Sequence, residues 1–268
     1  MEITDISFIP EKFCRDLKYL FTDIDDTITT DGTMPWDTLK NIWKLTDSGI
    51  KVVLVTGRPA GWCDYFARMW PVAGVIGENG AFYFRYDRSR SKMDRVYLQT
   101  EGERGLGKKG LDRIRARVLS EVPGSAVSAD QPFRIADLAI DFCEDVPPLD
   151  DVSINKICRI AEDEGAVFKV SSIHVNCWFG NYNKLTCFNR FLTEVEGISL
   201  SDMNDSIIYI GDSPNDEPMF RELEYSAAVN NIVKFIDRMK YYPVYKAAKD
   251  SGEGFKEIVD TILKKREY

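Results

Sequence analysis

The sequence predicts an α/β fold, a parallel sheet flanked by helices and interrupted by an inserted α+β module. Three observations predict it. Short apolar, β-branched runs alternate with amphipathic stretches towards both ends of the chain, as in KVVLV at 51–55 and SIIYI at 206–210. Between about 86 and 179 that alternation gives way to paired-strand patterns. Acidic and polar runs follow directly on the predicted strands, at the edge where open α/β sheets bind ligands.

Residues 17–23 (LKYLFTD) read as a buried strand that ends in acidic residues. Residues 36–48 read as an amphipathic helix with Trp36, Leu39, Ile42, Trp43 and Leu45 apolar, and Gly49 follows as a stop signal. The strand at 51–56 is punctuated by Gly57-Arg58-Pro59, and a helix near 60–69 and a strand near 73–76 follow. The insert then supplies antiparallel strands from about 81 to 98, a helix at 108–120, strands near 134–142, a helix at 151–164 and paired strands at 166–170 and 173–178. Alternation returns with a helix at 184–195, a strand at 206–210, a helix near 215–223, a strand near 226–229 and a helix at 254–266. This divides the chain into a Rossmann-like core, 1–85 plus 180–268, and a cap at 86–179.

A length of 268 residues suits a core with one inserted module. A net charge of −8 argues against nonspecific nucleic-acid binding, which draws on clustered Lys and Arg. It leaves room for local cations that hold a small anionic substrate. The Lys/Arg-rich stretch at 108–117 reads as a solvated helix face. The six cysteines form no C-x-x-C pair and read as reduced thiols. The N-terminus lacks the apolar region of a signal peptide, and no apolar run approaches the ~18 residues that span a bilayer. A cytoplasmic protein without membrane partners is expected.

The chemistry gathers at the strand ends. After the first strand come Asp23-Ile24-Asp25-Asp26-Thr27, after the second Thr56-Gly57-Arg58, and after SIIYI come Gly211-Asp212-Ser213-Pro214-Asn215-Asp216; Lys184 opens the helix after the insert. A phosphate monoester hydrolyses extremely slowly without help. A carboxylate that attacks phosphorus splits the reaction into two steps through an aspartyl-phosphate. A divalent cation offsets the repulsion between the two anions, and Mg²⁺ takes carboxylate, water and substrate oxygens. Asp23 and Asp212 suit that ion, Asp25 suits the acid that protonates the leaving oxygen, and Thr56 and Lys184 suit the remaining phosphate oxygens.

The D-x-D-x-T run at 23–27, T-G-R at 56–58, Lys184 and G-D-x-x-N-D at 211–216 resemble the four motifs of the haloacid dehalogenase superfamily. The insert and Gly77-Glu78-Asn79-Gly80 resemble its branch with a C2-type cap, the IIB branch of Cof-type and related sugar phosphatases. The resemblance implies Asp23 as nucleophile and Mg²⁺ ligand, and Asp25 as general acid/base that also ligates through its backbone carbonyl. It implies Thr56, Gly57 and Lys184 around the phosphate, Asp212 as a metal ligand, and Asn215 and Asp216 beside it. Arg58, Arg134 and His174 are the candidates for contacts with the rest of the substrate. One departure stands out: Asp26 occupies a position where the family usually has glycine.

Taken singly, each residue has a plainer reading. Asp23, Asp25, Asp212 and Asp216 are types that cap helices and turns, Lys184 suits a solvated helix, and Arg58 suits a surface ion pair. Alternation places His174, Asn176 and Trp178 on one strand face, so His174 also fits a half-buried strand position. Together the motifs imply a Mg²⁺-dependent phosphatase acting on a small phosphorylated metabolite such as a sugar phosphate. A phosphosugar mutase and a catalytically weak phosphometabolite-binding protein are the alternatives.

Overall fold

The computed structural model describes residues 3–171 and 173–267. Its strands are β1 (Thr4–Asp5), β2 (Tyr19–Thr22), β3 (Lys51–Val55), β4 (Gly74–Gly77), β5 (Phe82–Asp87), β6 (Lys92–Tyr97), β7 (Ala126–Val127), β8 (Asp137–Asp141), β9 (Val167–Val170), β10 (His174–Trp178), β11 (Ile207–Gly211), β12 (Ser226–Ala228) and β13 (Tyr245–Lys246). The helices are α1 (Glu11–Asp16), α2 (Trp36–Asp47), α3 (Ala60–Met69), α4 (Glu101–Glu121), α5 (Asp151–Asp163), α6 (Lys184–Glu196), α7 (Leu200–Met203), α8 (Glu217–Glu222) and α9 (Ser251–Arg266).

Nine strands form the core sheet in the order β1-β13-β12-β11-β2-β3-β4-β5-β6, parallel from β1 through β4 and antiparallel for the last two. Alternation along β2 divides its apolar residues between two layers. Leu20 joins Ile42 and Leu45 of α2, Phe66 of α3 and Phe255 of α9 on one face. Tyr19 and Phe21 meet Phe188 and Phe191 of α6 and Met219 of α8 on the other. The central register then fixes the site: Thr22 pairs with Ile210 of β11 on one side and with Leu54 of β3 on the other. Asp23, Gly211 and Val55 therefore leave the sheet side by side, with Asp212 and Thr56 one residue further on.

The cap is a four-stranded antiparallel sheet, β7-β8-β10-β9, with α4 and α5 packed on one face. Leu138, Ile140, Val175 and Cys177 point into that apolar layer with Ile114, Val118, Ile157 and Ile160. The alternate positions, among them Asp137, His174 and Asn176, lie on the other face.

Three differences from the sequence reading have physical causes. Residues 92–97 hydrogen-bond to β5 inside the core sheet, so we propose a core–cap division near residue 98 in place of 85/86. Helix α4 starts at Glu101 and not near 108, because Thr100 and Glu103 form a reciprocal capping box. Its glycines hid the helix, yet Gly110 is required: a Cβ there would meet the Phe179 ring at 2.4 Å. The edge strands β1 and β13 are two residues each, too short to leave a periodic signal.

Gly80 has φ +103°, and a Cβ there would lie 2.1 Å from the Asn183 carbonyl oxygen. Gly80→Ala should lower stability by about 2–4 kcal/mol, combining backbone strain with overpacking. Gly197→Ala, at φ +72° with open space around it, should cost only about 1 kcal/mol. Urea unfolding of the two variants compares them.

Candidate active site

Asp23 sits at the carboxyl end of β2, at the centre of the sheet, and its backbone N–H continues the ladder to the Ile210 carbonyl at 2.9 Å. The Ile24 N–H donates to Asp23 Oδ1 at 2.8 Å, and Lys184 Nζ donates to Oδ2 at 3.0 Å. The same ammonium donates to Asp216 Oδ1 at 2.8 Å. Lys184 is the first residue of α6, which Asn183 caps by accepting from the Thr186 N–H. A cation at a helix N-terminus opposes the macrodipole. Two buried carboxylates offset that cost.

Asp216 also accepts from the Tyr209 hydroxyl and, at 3.1 Å, from the Asp212 N–H. A Cβ on Gly211 would lie 2.3 Å from Asp216 Oδ2, so only glycine fits beneath this carboxylate. Asp212 accepts from Thr27 Oγ1 at 3.1 Å and from Asn231 Nδ2 at 3.2 Å.

Carboxylate oxygens of Asp23, Asp212 and Asp216 lie within 4.8 Å of one another, all buried. One ammonium faces these three acids. Burial pushes the pKa of Asp23 up to about 7; the charges of Asp216 and Asp25 add to the rise, and Lys184 opposes it. Burial and the charges of Asp216, Asp23 and Asp26 push Asp212 well above the usual carboxylate range, against the opposing Lys184. When ionised, such a cluster would carry uncompensated negative charge, and its donors are hard oxygens, so the residues present fit a divalent cation of the Mg²⁺ type.

Thr56 is fully buried beside Asp23's loop, and its Oγ1 accepts from the Arg58 N–H at 3.0 Å. Arg58 turns back across the site. Its Nε lies 3.0 Å from each Asp25 carboxylate oxygen, and a terminal nitrogen reaches Asp25 Oδ1 at 2.8 Å and Glu144 Oε1 at 3.0 Å. The guanidinium also stacks on Trp62 at 4.6 Å. His174 Nε2 lies 2.9 Å from Glu144 Oε2, off the line that a ring N–H needs for a hydrogen bond. His174 and Arg58 hold the Glu144 pKa down to about 2. The structure thus brings Asp25, Arg58, Glu144 and His174 into one chain that runs from the core to the cap.

Arg134 lines the small cavity beside Asp23 and is also committed to protein partners. Its side chain is 1% exposed, and its nitrogens reach Asp130, Asp137 and, at 2.8 Å, the Gly57 carbonyl. It ties the cap to the phosphate-side turn. Glu78 does the same from the core side. Its buried carboxylate accepts from the N–H groups of Ala60, Ile135, Ala136 and Asp137. Asn215 Oδ1 accepts from Ser213 Oγ at 2.8 Å, and Asn215 lines the cavity beside Asp23. That cavity holds only about 20 Å³. It adjoins a cleft of about 1440 Å³ between α5 and β9 of the cap and residues 230–238 of the core.

Sequence reasoning missed Glu144, Asn231 and the junction role of Glu78. Asn231 follows a predicted strand and was open to the same strand-end reading as Asp212. Glu144 leaves β8 in a cap turn whose approach to Arg58 has no local signal.

A parallel sheet thus delivers three buried carboxylates and one lysine to its carboxyl edge, beneath an α+β cap. The sequence model of the haloacid dehalogenase-like hydrolases matches residues 20–102. A phosphoglycolate phosphatase of Methanobrevibacter smithii is 23% identical over 250 residues, covering 90% of this chain and 96% of its own. One from Methanoculleus marisnigri is 28% identical over 224 residues, covering 80% and 85%. A Thermoplasma acidophilum protein shares the fold at a TM-score of 0.69 and 20% identity, covering 92% of this chain and 98% of that one. A sugar phosphatase of subclass IIB does so at a TM-score of 0.63 and 14% identity, covering 91% and 98%. Residues 20–102 thus carry the pattern of the haloacid dehalogenase-like hydrolases, and most of the chain is similar to curated phosphatases.

Lys184→Ala would leave Asp23 and Asp216 without their cation. Breaking a buried pair in this way should lower stability by about 3–5 kcal/mol at pH 7 in chelator. The Asp23 pKa is raised by its burial, so its penalty grows with pH from the unfolded value up to the folded one. The loss should therefore shrink at pH 5. Urea unfolding at both pH values checks this.

Proposed function

We propose that this phosphatase is Mg²⁺-dependent and transfers the phosphoryl group of a small monoester first to Asp23 and then to water. The observation that carries this reading is the buried Asp23–Lys184–Asp216–Asp212 cluster with Asp25 two residues beyond the nucleophile. Asp23, Asp212 and the Asp25 backbone carbonyl would hold the ion, with Asp216 beside them. When bound, Mg²⁺ offsets the charge between the nucleophile and the phosphate.

A carboxylate oxygen of Asp23 attacks phosphorus as the bond to the ester oxygen breaks. Asp25 gives its proton to that oxygen. Asp25, now a carboxylate, takes a proton from water, whose oxygen attacks phosphorus and releases Asp23 and phosphate. Lys184 and Thr56 hold phosphate oxygens, as do the N–H groups of the loop after β2. Arg58 must release Asp25 for it to be protonated, and the ester oxygen enters where the guanidinium now sits. A cavity of about 20 Å³ has room for little more than a water, so the cap swings away to admit substrate and returns to exclude solvent.

The charge balance of the cap wall favours a sugar or polyol phosphate. Even after Arg58 releases Asp25, it faces Asp130 and Glu144, and Arg134 faces Asp130 and Asp137, so both guanidiniums stay matched. Hydroxyl groups can donate to such a wall, whereas a carboxylate would meet repulsion. A second reading, phosphoglycolate, has its support in the names of the relatives.

Phosphate release from a panel of hexose phosphates, polyol phosphates and phosphoglycolate tests both readings, with Mg²⁺ and with chelator. Chelator should abolish turnover. Asp23→Asn should lower kcat by at least ~10³-fold, and Asp25→Asn by ~10²–10⁴-fold. Preference for phosphoglycolate would overturn the polyol reading. An isomeric sugar phosphate formed without free phosphate would replace hydrolysis by mutase chemistry.

A further inference from the structure

Asn231 lies outside all four motifs yet touches three parts of the site. It follows β12, is 6% exposed, and all its amide groups are engaged. Nδ2 donates to Asp212 Oδ2 at 3.2 Å and to the Asp26 carbonyl at 3.0 Å, and Oδ1 accepts from the Ser251 N–H at 3.0 Å. This pattern uses both amide hydrogens and the oxygen, so the group has one orientation.

The Asp26 contact matters because of its backbone. Asp26 has φ +56°, the left-handed region that favours glycine. Its N–H donates to Thr29 Oγ1 at 3.1 Å, while Asn231 holds its carbonyl. The peptide plane that carries the Asp26 N–H also carries the Asp25 carbonyl. Clamping Asp26 at both ends therefore fixes the direction of that carbonyl. The same amide group fixes one oxygen of Asp212, and Thr27 fixes the other.

We propose that Asn231 is a positioning residue that sets the affinity of the metal site, by orienting the Asp212 carboxylate and the Asp25–Asp26 peptide together. The proposal rests on the metal-dependent reading of the site. Partners that orient metal ligands typically govern affinity by ~10–100-fold. The α9 end of the bridge, at Ser251, ties that geometry to the sheet and to the C-terminal helix.

Mn²⁺ binding to the full chain without substrate, followed by electron paramagnetic resonance, tests this independently of turnover. Asn231→Leu removes every hydrogen bond at similar volume and should raise the Mn²⁺ dissociation constant ~10–100-fold. Asn231→Gln keeps the amide but displaces it by one methylene, and should weaken binding in the same direction. Asn230→Ala, whose side chain meets Asp250 and Lys246 instead, should leave the constant unchanged. At saturating Mg²⁺ the kcat of Asn231→Gln should recover to within a few-fold of wild type. Folded Asn231 variants that bind Mn²⁺ as tightly as wild type would overturn the role of Asn231 alone. A wild-type chain that binds no Mn²⁺ would overturn the metal reading as well.

Discussion

The ammonium of Lys184, held between Asp23 and Asp216 at the carboxyl edge of the sheet, is the contact on which the rest of the molecule depends. Three carboxylates within 4.8 Å of one another, out of water, repel strongly. A fold tolerates that only if its backbone holds them rigidly and a cation stands among them. The parallel register of β11, β2 and β3 supplies the first condition, because their ends leave the sheet at one level. The return of the chain from the cap into α6 supplies the second, since Lys184 is the first helical residue after the insert. The insert thus ends where the core needs its positive charge, and the cap's exit and the site's electrostatics are one constraint.

The same chain geometry makes the cap asymmetric. One side is tied to the core: Glu78 accepts from the N–H groups of Ile135, Ala136 and Asp137, and Arg134 donates to the Gly57 carbonyl. The linker at 179–183 passes close by, against Gly80. The opposite side, between α5 and residues 230–238, is the open cleft. The cap is thus pinned near its linkers and leaves the cleft at the far lip. Asn215 and Ser213 line both the cleft and the small cavity and so join the two. The Trp62 side, where Arg58 is packed, stays closed.

The core was legible in the sequence because its signals are local. KVVLV and SIIYI are buried strands whose neighbours in space repeat the same pattern, and the polar runs after them mark the ligand edge. Asp23, Lys184, Asp212 and Asp216 were named from those runs, and the structure brings them together. What escaped depended on contacts between distant segments. Lys92–Tyr97 pairs with β5 in the core sheet, and the alternation within that segment is silent on that pairing. Arg134 carries a charge that suits a substrate, and only its three-dimensional neighbours show that the charge is already matched. Asp26 was visible as a departure from the family pattern, but the pair of hydrogen bonds that tolerates its left-handed backbone comes from Thr29 and Asn231, three and 205 residues away.

The two halves of the site also differ in what they leave open to variation. The phosphate end is built from strand ends whose register cannot slip without turning every buried side chain of β2 to the wrong layer. The leaving-group end is assembled from cap residues on separate segments, Asp130 and Arg134, Glu144, and His174, which touch the core mainly through Arg58 and Gly57. Exchanging one of these changes the charge facing the substrate without moving a core strand. In this chain that wall is acidic in balance, with Glu144 held ionised by Arg58 and His174.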